Sequence, residues 1–230
     1  MSLERGTRAL HFAATATVLA ALAACAGGPP VPDWQANAKA ALDQATAAYL
    51  AGDSAAEARA FERAREQISR TGRPELLARA ELMRCAAHVA SLVFEPCPGF
   101  EKLRGDADAP ERAYAEHLAA RRLLPPDIER LPPAQRAVAA AVAGGDAAAA
   151  AGVQGIDDPL ARLIAAAVLF QAGKASPATL ALAADTASAQ GWRRPLLAWL
   201  NVLALRAERA GAADEAQRLR RQMLLVQGAK

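Results

Sequence analysis

Along most of the chain, apolar residues recur every three to four positions and almost nowhere alternate with polar ones. That period places them on one face of a helix rather than one face of a strand. Breaks in the pattern carry helix punctuation. Pro74, Pro110, Pro133, Pro159, Pro177 and Pro195 each stand at the head of an apolar-periodic stretch, where a missing N–H costs a helix nothing. Asp158 and Ser176 precede two of them as N-caps, and Ser54 with Glu57 has the spacing of a capping box. Gly52, Gly72, Gly145, Gly173, Gly191 and Gly211 stand at the opposite ends, where a left-handed residue closes the last turn. The pattern predicts helices over 33–51, 54–70, 74–94, 110–123, 133–143, 146–152, 158–172, 177–189, 195–210 and 213–227. Short connections make neighbouring helices antiparallel, so the expected fold is all-α, an array of antiparallel helical hairpins.

The helix from Pro195 shows how such an array packs. Leu196, Leu200, Leu203 and Ala207 form one stripe, while Trp199 and Val202 add a second, as in an inner helix covered on two sides. Two stretches resist helix. Leu124-Pro125-Pro126 and Leu131-Pro132-Pro133 bracket four residues, so no regular helix is expected over 124–133. The stretch 94–110 reads as irregular too. These breaks divide the chain into an N-terminal helical half, 33–123, a Pro-rich connection, 124–132, and a C-terminal helical half, 133–230.

The start of the chain has a different organisation. Arg5 and Arg8 precede an apolar stretch from Phe12 to Ala24 that ends in small residues, the order of a secretory signal peptide. The stretch is too short for the roughly 20 residues that a membrane span requires. Leu22-Ala23-Ala24-Cys25 resembles the lipobox of bacterial lipoproteins; an ordinary signal peptide with an incidental cysteine is the alternative. The resemblance implies removal of residues 1–24, lipidation of Cys25, and sorting by the residue that follows. Ala26 in place of aspartate implies the outer membrane, with the body facing the periplasm. One acyl chain anchors a protein only marginally and several hold it firmly, and residues 25–32, CAGGPPVP, then read as the lipidated cysteine and a flexible tether. Its Gly and Pro residues keep it extended at about 3.3 Å per residue.

Several residues of the body resemble tetratricopeptide repeats, in which a turn glycine is followed by a small residue and then a large one. Tyr49, Gly52-Asp53, Phe61 and Ala64 fit, with Glu57 where alanine is usual, which the capping box would explain. Gly173, Ala178 and Leu182 fit, whereas Gly211 and Ala216 are followed by Arg220. The turn glycines 145, 173 and 211 straddle the family's period of about 34 residues without holding it. Over 33–70 and 133–227 the chain is thus similar to a degenerate tetratricopeptide-like α-solenoid, an irregular helical bundle being the alternative.

Charge and candidate chemistry narrow the function. The 27 Lys and Arg residues oppose 24 Asp and Glu, and aromatics make up 4 %. Nucleic acid binding calls for a basic excess with stacking aromatics, so no nucleic-acid partner is expected. Cys85 and Cys97 suit a disulfide in an oxidising compartment. A metal site with His88 and His117 fits no zinc spacing, and free thiols are the third option. His88 and His117 belong to no catalytic motif, and the nucleophile elbow, zincin and phosphate-loop patterns do not occur. No enzymatic activity and no cofactor beyond lipid on Cys25 are expected. Arg193, Arg194, Arg206, Arg209, Arg218, Arg220, Arg221 and Lys230 concentrate positive charge near the end, either as a solvated face or as a patch for an acidic partner or a polyanion. The expected function is that of a lipid-anchored adaptor for an envelope protein; a cell-wall or anionic-ligand module using the arginines is the alternative.

Overall fold

The computed structural model describes residues 31–144 and 149–228. Cys25 with its lipobox, the turn at Gly145 and Lys230 therefore lie outside the described residues. Asn37–Lys230 forms one compact unit. Among the described residues there are twelve helices and no strand: α1 (Asp33–Ala51), α2 (Ser54–Ser69), α3 (Pro74–Ala90), α4 (Pro98–Glu101), α5 (Ala109–Leu118), α6 (Pro125–Arg130), α7 (Pro133–Gly144), α8 (Ala149–Gln154), α9 (Pro159–Gln171), α10 (Pro177–Ala189), α11 (Arg193–Arg209) and α12 (Ala213–Gly228). The protein is all-α, a repeat-like array of packed hairpins. None of the described helices is long and apolar enough to cross a membrane.

The array is organised around α9. Residues 163–169 are seven consecutive buried positions, and a helix apolar all round must be covered all round. It packs against α3, α5, α7, α8 and α10. The main core therefore runs from Leu82 and Phe100 through Leu163 and Val168 to Trp199, and the two halves read from the sequence share it. Helix α11 is covered twice, as its two stripes predict. Trp199 enters the main core, while Leu200, Ala204 and Ala207 pack with Ala216 and Leu219 of α12. Trp199 Nε1 also donates to the Ala90 carbonyl, 3.2 Å away at the end of α3.

Helix ends follow one device, used with two kinds of residue. At Gly173, φ is 69° and Lys174 N donates to Leu169 O at 2.8 Å, the closing bond of a left-handed C-terminal turn. The same closure occurs at Leu92 and Ala120, with φ of 61° and 53°; Val93 N reaches His88 O at 3.1 Å and Arg121 N reaches Glu116 O at 3.0 Å. For this reason α3 stops at Ala90 and α5 at Leu118, four to five residues before the ends expected from sequence. Asp158 and Ser176 cap α9 and α10 as predicted, accepting from Ala161 N and Thr179 N. At the end of α7, Arg122 donates to Ala143 O at 2.6 Å and Lys174 to Ala141 O at 2.8 Å, two cations set against the negative end of one helix.

Two local expectations are corrected. Residues 125–130 form a helix, α6, where none was expected. Pro125 and Pro126 occupy its first two positions, whose N–H groups need no partner, and Leu124 is extended ahead of them with ψ 155°. The proline pair starts this helix, and Pro132 ends it by holding Leu131 extended. The capping box is also absent: Asp53 is the N-cap of α2, its Oδ1 accepting from Ala56 N at 2.8 Å. Glu57 is thereby released for a different role.

Candidate functional site

Three glutamates occupy positions that amphipathic spacing reserves for apolar residues. Glu57 shares the buried stripe of α2 with Ala60, Phe61, Ala64 and Ile68. Glu81 lies inside α3, and Glu111 opens the buried stripe of α5. Each is more than nine-tenths buried, and each meets an arginine whose side chain is more than a third exposed. Arg84 Nε donates to Glu57 at 2.5 Å, Arg65 pairs with Glu81, and Arg79 Nε donates to Glu111 Oε1 at 2.7 Å. Residues 57 and 65 of α2 meet 84 and 81 of α3 in reverse order, so the two pairs fix an antiparallel register. Arg84 also lies over the Phe61 ring, 4.8 Å from its centroid. A Cβ at Gly99 would fall on the Glu81 carboxylate, so a side chain there would require that carboxylate to shift.

Beside this lattice an open groove of about 460 Å³ runs between α3, the start of α5 and the α6–α7 junction. Leu82 and Leu131, almost fully buried, line it together with Pro110 and Pro132, and Met83 is 42 % exposed at its edge. Its charges are balanced in pairs, Arg79 with Glu111 and Arg130 with Asp127. Glu111 Oε2 is buried without a hydrogen-bond partner. Burial pushes the Tyr114 hydroxyl above the usual tyrosine range.

The cysteines and histidines occupy a neighbouring region. Cys85 and Cys97 stand as a disulfide pair with Cα atoms 5.8 Å apart, a normal separation for that bond. The pair tethers the segment leaving α3 and lies between two clefts of about 220 and 210 Å³. His88 lines the first but stacks on Tyr49, ring centroids 4.2 Å apart. Burial, aided by the Arg84 charge, holds its pKa below the usual histidine value. His117 is elsewhere, tied to Gln135. Gln135 Nε2 donates to Ala161 O at 2.9 Å, so its Oε1 accepts, and His117 Nε2 donates to it at 3.0 Å. Burial pushes His117 down to about 4, leaving it neutral with its proton on Nε2. Thus the cysteines meet each other, while the histidines set beside them in the sequence make other contacts.

The C-terminal arginines are dispersed. Arg194 Nε donates to Tyr49 O at 2.8 Å, its Nη2 to Ser54 Oγ at 2.7 Å, and its guanidinium lies 4.3 Å from the Tyr49 ring centroid. Arg193 lies against Gly52, where an added Cβ would come within 3.1 Å of its Nε. Both therefore clamp the start of α11 to the α1–α2 turn. Arg206 and Arg209 stand in the last turn of α11. Arg218 pairs with Glu215 at 3.0 Å, Arg220 Nε with Glu208 at 2.8 Å, and Arg221 is exposed. Sequence reasoning missed the groove and the buried glutamates. The signal for the latter was Glu57 in register with Phe61, Ala64 and Ile68. Compared with known proteins, the chain matches no family model, no curated protein and no solved structure.

Proposed function

We propose that this chain is a lipid-anchored protein of the bacterial outer membrane, without enzymatic activity of its own, whose periplasmic helical array holds another protein. The observation that carries the reading is the open, apolar, charge-balanced groove edged by Met83. Exposed apolar surface in a concave setting is surface that a partner covers. The lipobox-like Leu22-Ala23-Ala24-Cys25 supports the address, and the tetratricopeptide-like spacing of Gly52, Phe61 and Ala64 supports an interaction scaffold. No cofactor is invoked beyond lipid on Cys25. The arginine reading loses Arg193 and Arg194 to the clamp on the α1–α2 turn.

The test is photo-cross-linking in intact envelopes, with the reactive residue placed at Met83 and, as a control, at Arg206. A reproducible protein adduct from Met83 and none from Arg206 is the expected result. Adducts containing only lipid or cell-wall material at both positions would overturn the adaptor reading. Cys25→Ala is expected to move the protein out of the membrane fraction, and an unchanged distribution would remove the anchor from the proposal.

A further inference from the structure

We infer that the outer face of the α11–α12 hairpin docks on an anionic lipid surface, the bilayer to which the anchor reading assigns the chain; it rests on that reading for proximity and not on the groove. The apolar groups come first. Helix α12 turns Ala216 and Leu219 towards α11, and the last helix of an array needs a polar outer face to stay in water. Here that face is not polar. Leu224 and Leu225 are 66 % and 76 % exposed, and Leu205 of α11 is 40 % exposed. The Arg220–Glu208 pair bridges the two helices. Leu224 stands four residues beyond Arg220 and Leu205 three before Glu208, so both leucines lie on the side of the hairpin that this pair marks.

Charge then selects the occupant. Arg209 and Arg221 are exposed and, among the described residues, have no carboxylate partner, whereas Arg218 and Arg220 are paired. Arg209 lies four residues beyond Leu205, and Arg221 three and four before Leu224 and Leu225, so the free cations flank the leucines. The acids of α12 are confined to its first turn, Asp214 and Glu215. A second copy set face to face would bring these arginines against one another, which is costly, and Glu208 is already paired. Hot spots between proteins are chiefly Trp, Tyr and Arg, with leucine under-represented, and residues 201–228 contain no aromatic side chain. Leucine beside arginine is the make-up of helices seated at the boundary of headgroups and acyl chains. Arg221 is about 5 Å along the helix axis from the two leucines, at 1.5 Å per residue. Its guanidinium therefore meets a lipid phosphate while Leu224 and Leu225 enter the acyl region, the long stem lying between.

The experiment uses the lipidated protein in nanodiscs. Cys85 and Cys97 are paired, so Gly228→Cys supplies a single thiol, on the face of Leu224 and Leu225, for an environment-sensitive fluorophore. Quenching by a lipid spin-labelled in its acyl chain reads the docked fraction in phosphatidylcholine discs with and without about 30 mol % phosphatidylglycerol. Strong quenching is expected with the anionic lipid, and each of Arg209→Gln and Arg221→Gln should lower the docking constant about fivefold there while changing nothing in neutral discs. Leu224→Ser is expected to weaken docking in both lipids at an unchanged melting temperature. No quenching in the anionic discs, or equal quenching in both lipids with the arginine variants inert, would overturn the inference. So would an unquenched label whose emission shifts as protein concentration rises, which assigns the face to a second copy, or on adding polyglutamate, which assigns it to an acidic protein. A chain that purifies without lipid sinks the anchor reading, and the same label then reads docking on added vesicles of the same compositions. The protein adduct at Met83 is scored on another surface, so the adaptor and the docking face stand or fall separately.

Discussion

The α2–α3–α5 region and the α9–α10–α11 region bury their helix faces by opposite means. Around α9 the interior is almost wholly apolar, with residues 163–169 enclosed in succession and Trp199 fully buried beside them. The buried polar side chains of α10 are satisfied locally, Thr186 by Leu182 O and Thr179 by Ser176. Around α3, three carboxylates are buried instead, each reached by an arginine from a neighbouring helix. The first region gains stability from area removed from water, which is large and indifferent to register. The second gains register, since a pair such as Glu57 with Arg84 is satisfied at one helix offset only, while its net contribution to stability is small. Buried ion pairs placed where alanine would fit thus argue for a specified arrangement of α2, α3 and α5, the arrangement that frames the groove.

The largest expected effect is on the apolar side. Trp199→Ala removes the largest fully buried side chain and orphans the Ala90 carbonyl, and a loss of about 4 kcal/mol in urea denaturation is expected. A loss below about 2 kcal/mol would show that this core relaxes around cavities, and the contrast with the ion-paired side would fail. Next come the pairs themselves, whose two members are not equivalent. Arg84→Met leaves Glu57 buried and unpaired, costing about 3 kcal/mol, whereas Glu57→Met lets the part-exposed Arg84 return to water and costs less than about 1 kcal/mol or stabilises. Equal losses for the two variants, measured by the same denaturation, would mean that the pair acts through Coulomb attraction rather than through the burial of Glu57.

The difference between the regions also explains what the sequence discloses. In α9 to α12 every local signal agrees: Asp158 and Ser176 cap, Pro159 and Pro177 start, Gly173 and Gly211 stop, and the stripes of α11 point to two covered sides. Segment type, order and most boundaries follow from propensity and period alone. In α2 to α6 the deciding groups act across space. Glu57 looks like part of a cap because its partner Arg84 is 27 residues away, and α3 looks longer than it is because Leu92 turns the chain where glycine is usual. Pro125-Pro126 is ambiguous in sequence between breaking a helix and opening one. The groove was illegible for the same reason, since Arg79, Glu111 and Leu131 meet only after α3, α5 and α6 have packed.

A third effect lies at the joint between the regions, where His117, Gln135 and the Ala161 carbonyl link α5, α7 and α9. The folded His117 stays neutral down to about pH 4, whereas in the unfolded chain it titrates near 6.5. Its contribution is therefore complete above about pH 6.5 and is lost as pH falls towards 4, because the unfolded state takes up a proton that the folded state refuses. At about 1.36 kcal/mol per unit this amounts to about 2 to 3 kcal/mol. His117→Gln keeps a neutral donor and is expected to flatten the stability curve between pH 6.5 and 4. An unchanged slope would assign the acid sensitivity to the carboxylates of the ion-paired side.

The smallest effect tests whether the two regions differ in their turns as they do in their interiors. Helices α9, α10 and α11 end on Gly173, Gly191 and Gly211, while α3 and α5 end on Leu92 and Ala120, all with positive φ. A residue with a Cβ is disfavoured there by roughly 1 kcal/mol. Leu92 packs against the main core, so replacing it would mix strain relief with lost burial. Ala120 has little side chain to lose, and Ala120→Gly is expected to stabilise by about 0.5 to 1 kcal/mol, less than the full strain because glycine also frees the unfolded chain. A rise of a few degrees in melting temperature would show that the end of α5 carries turn strain that the glycine-ended helices avoid. A fall would show that the Ala120 methyl contributes more through packing than its backbone costs, placing α5's end among the contacts that hold the groove in shape.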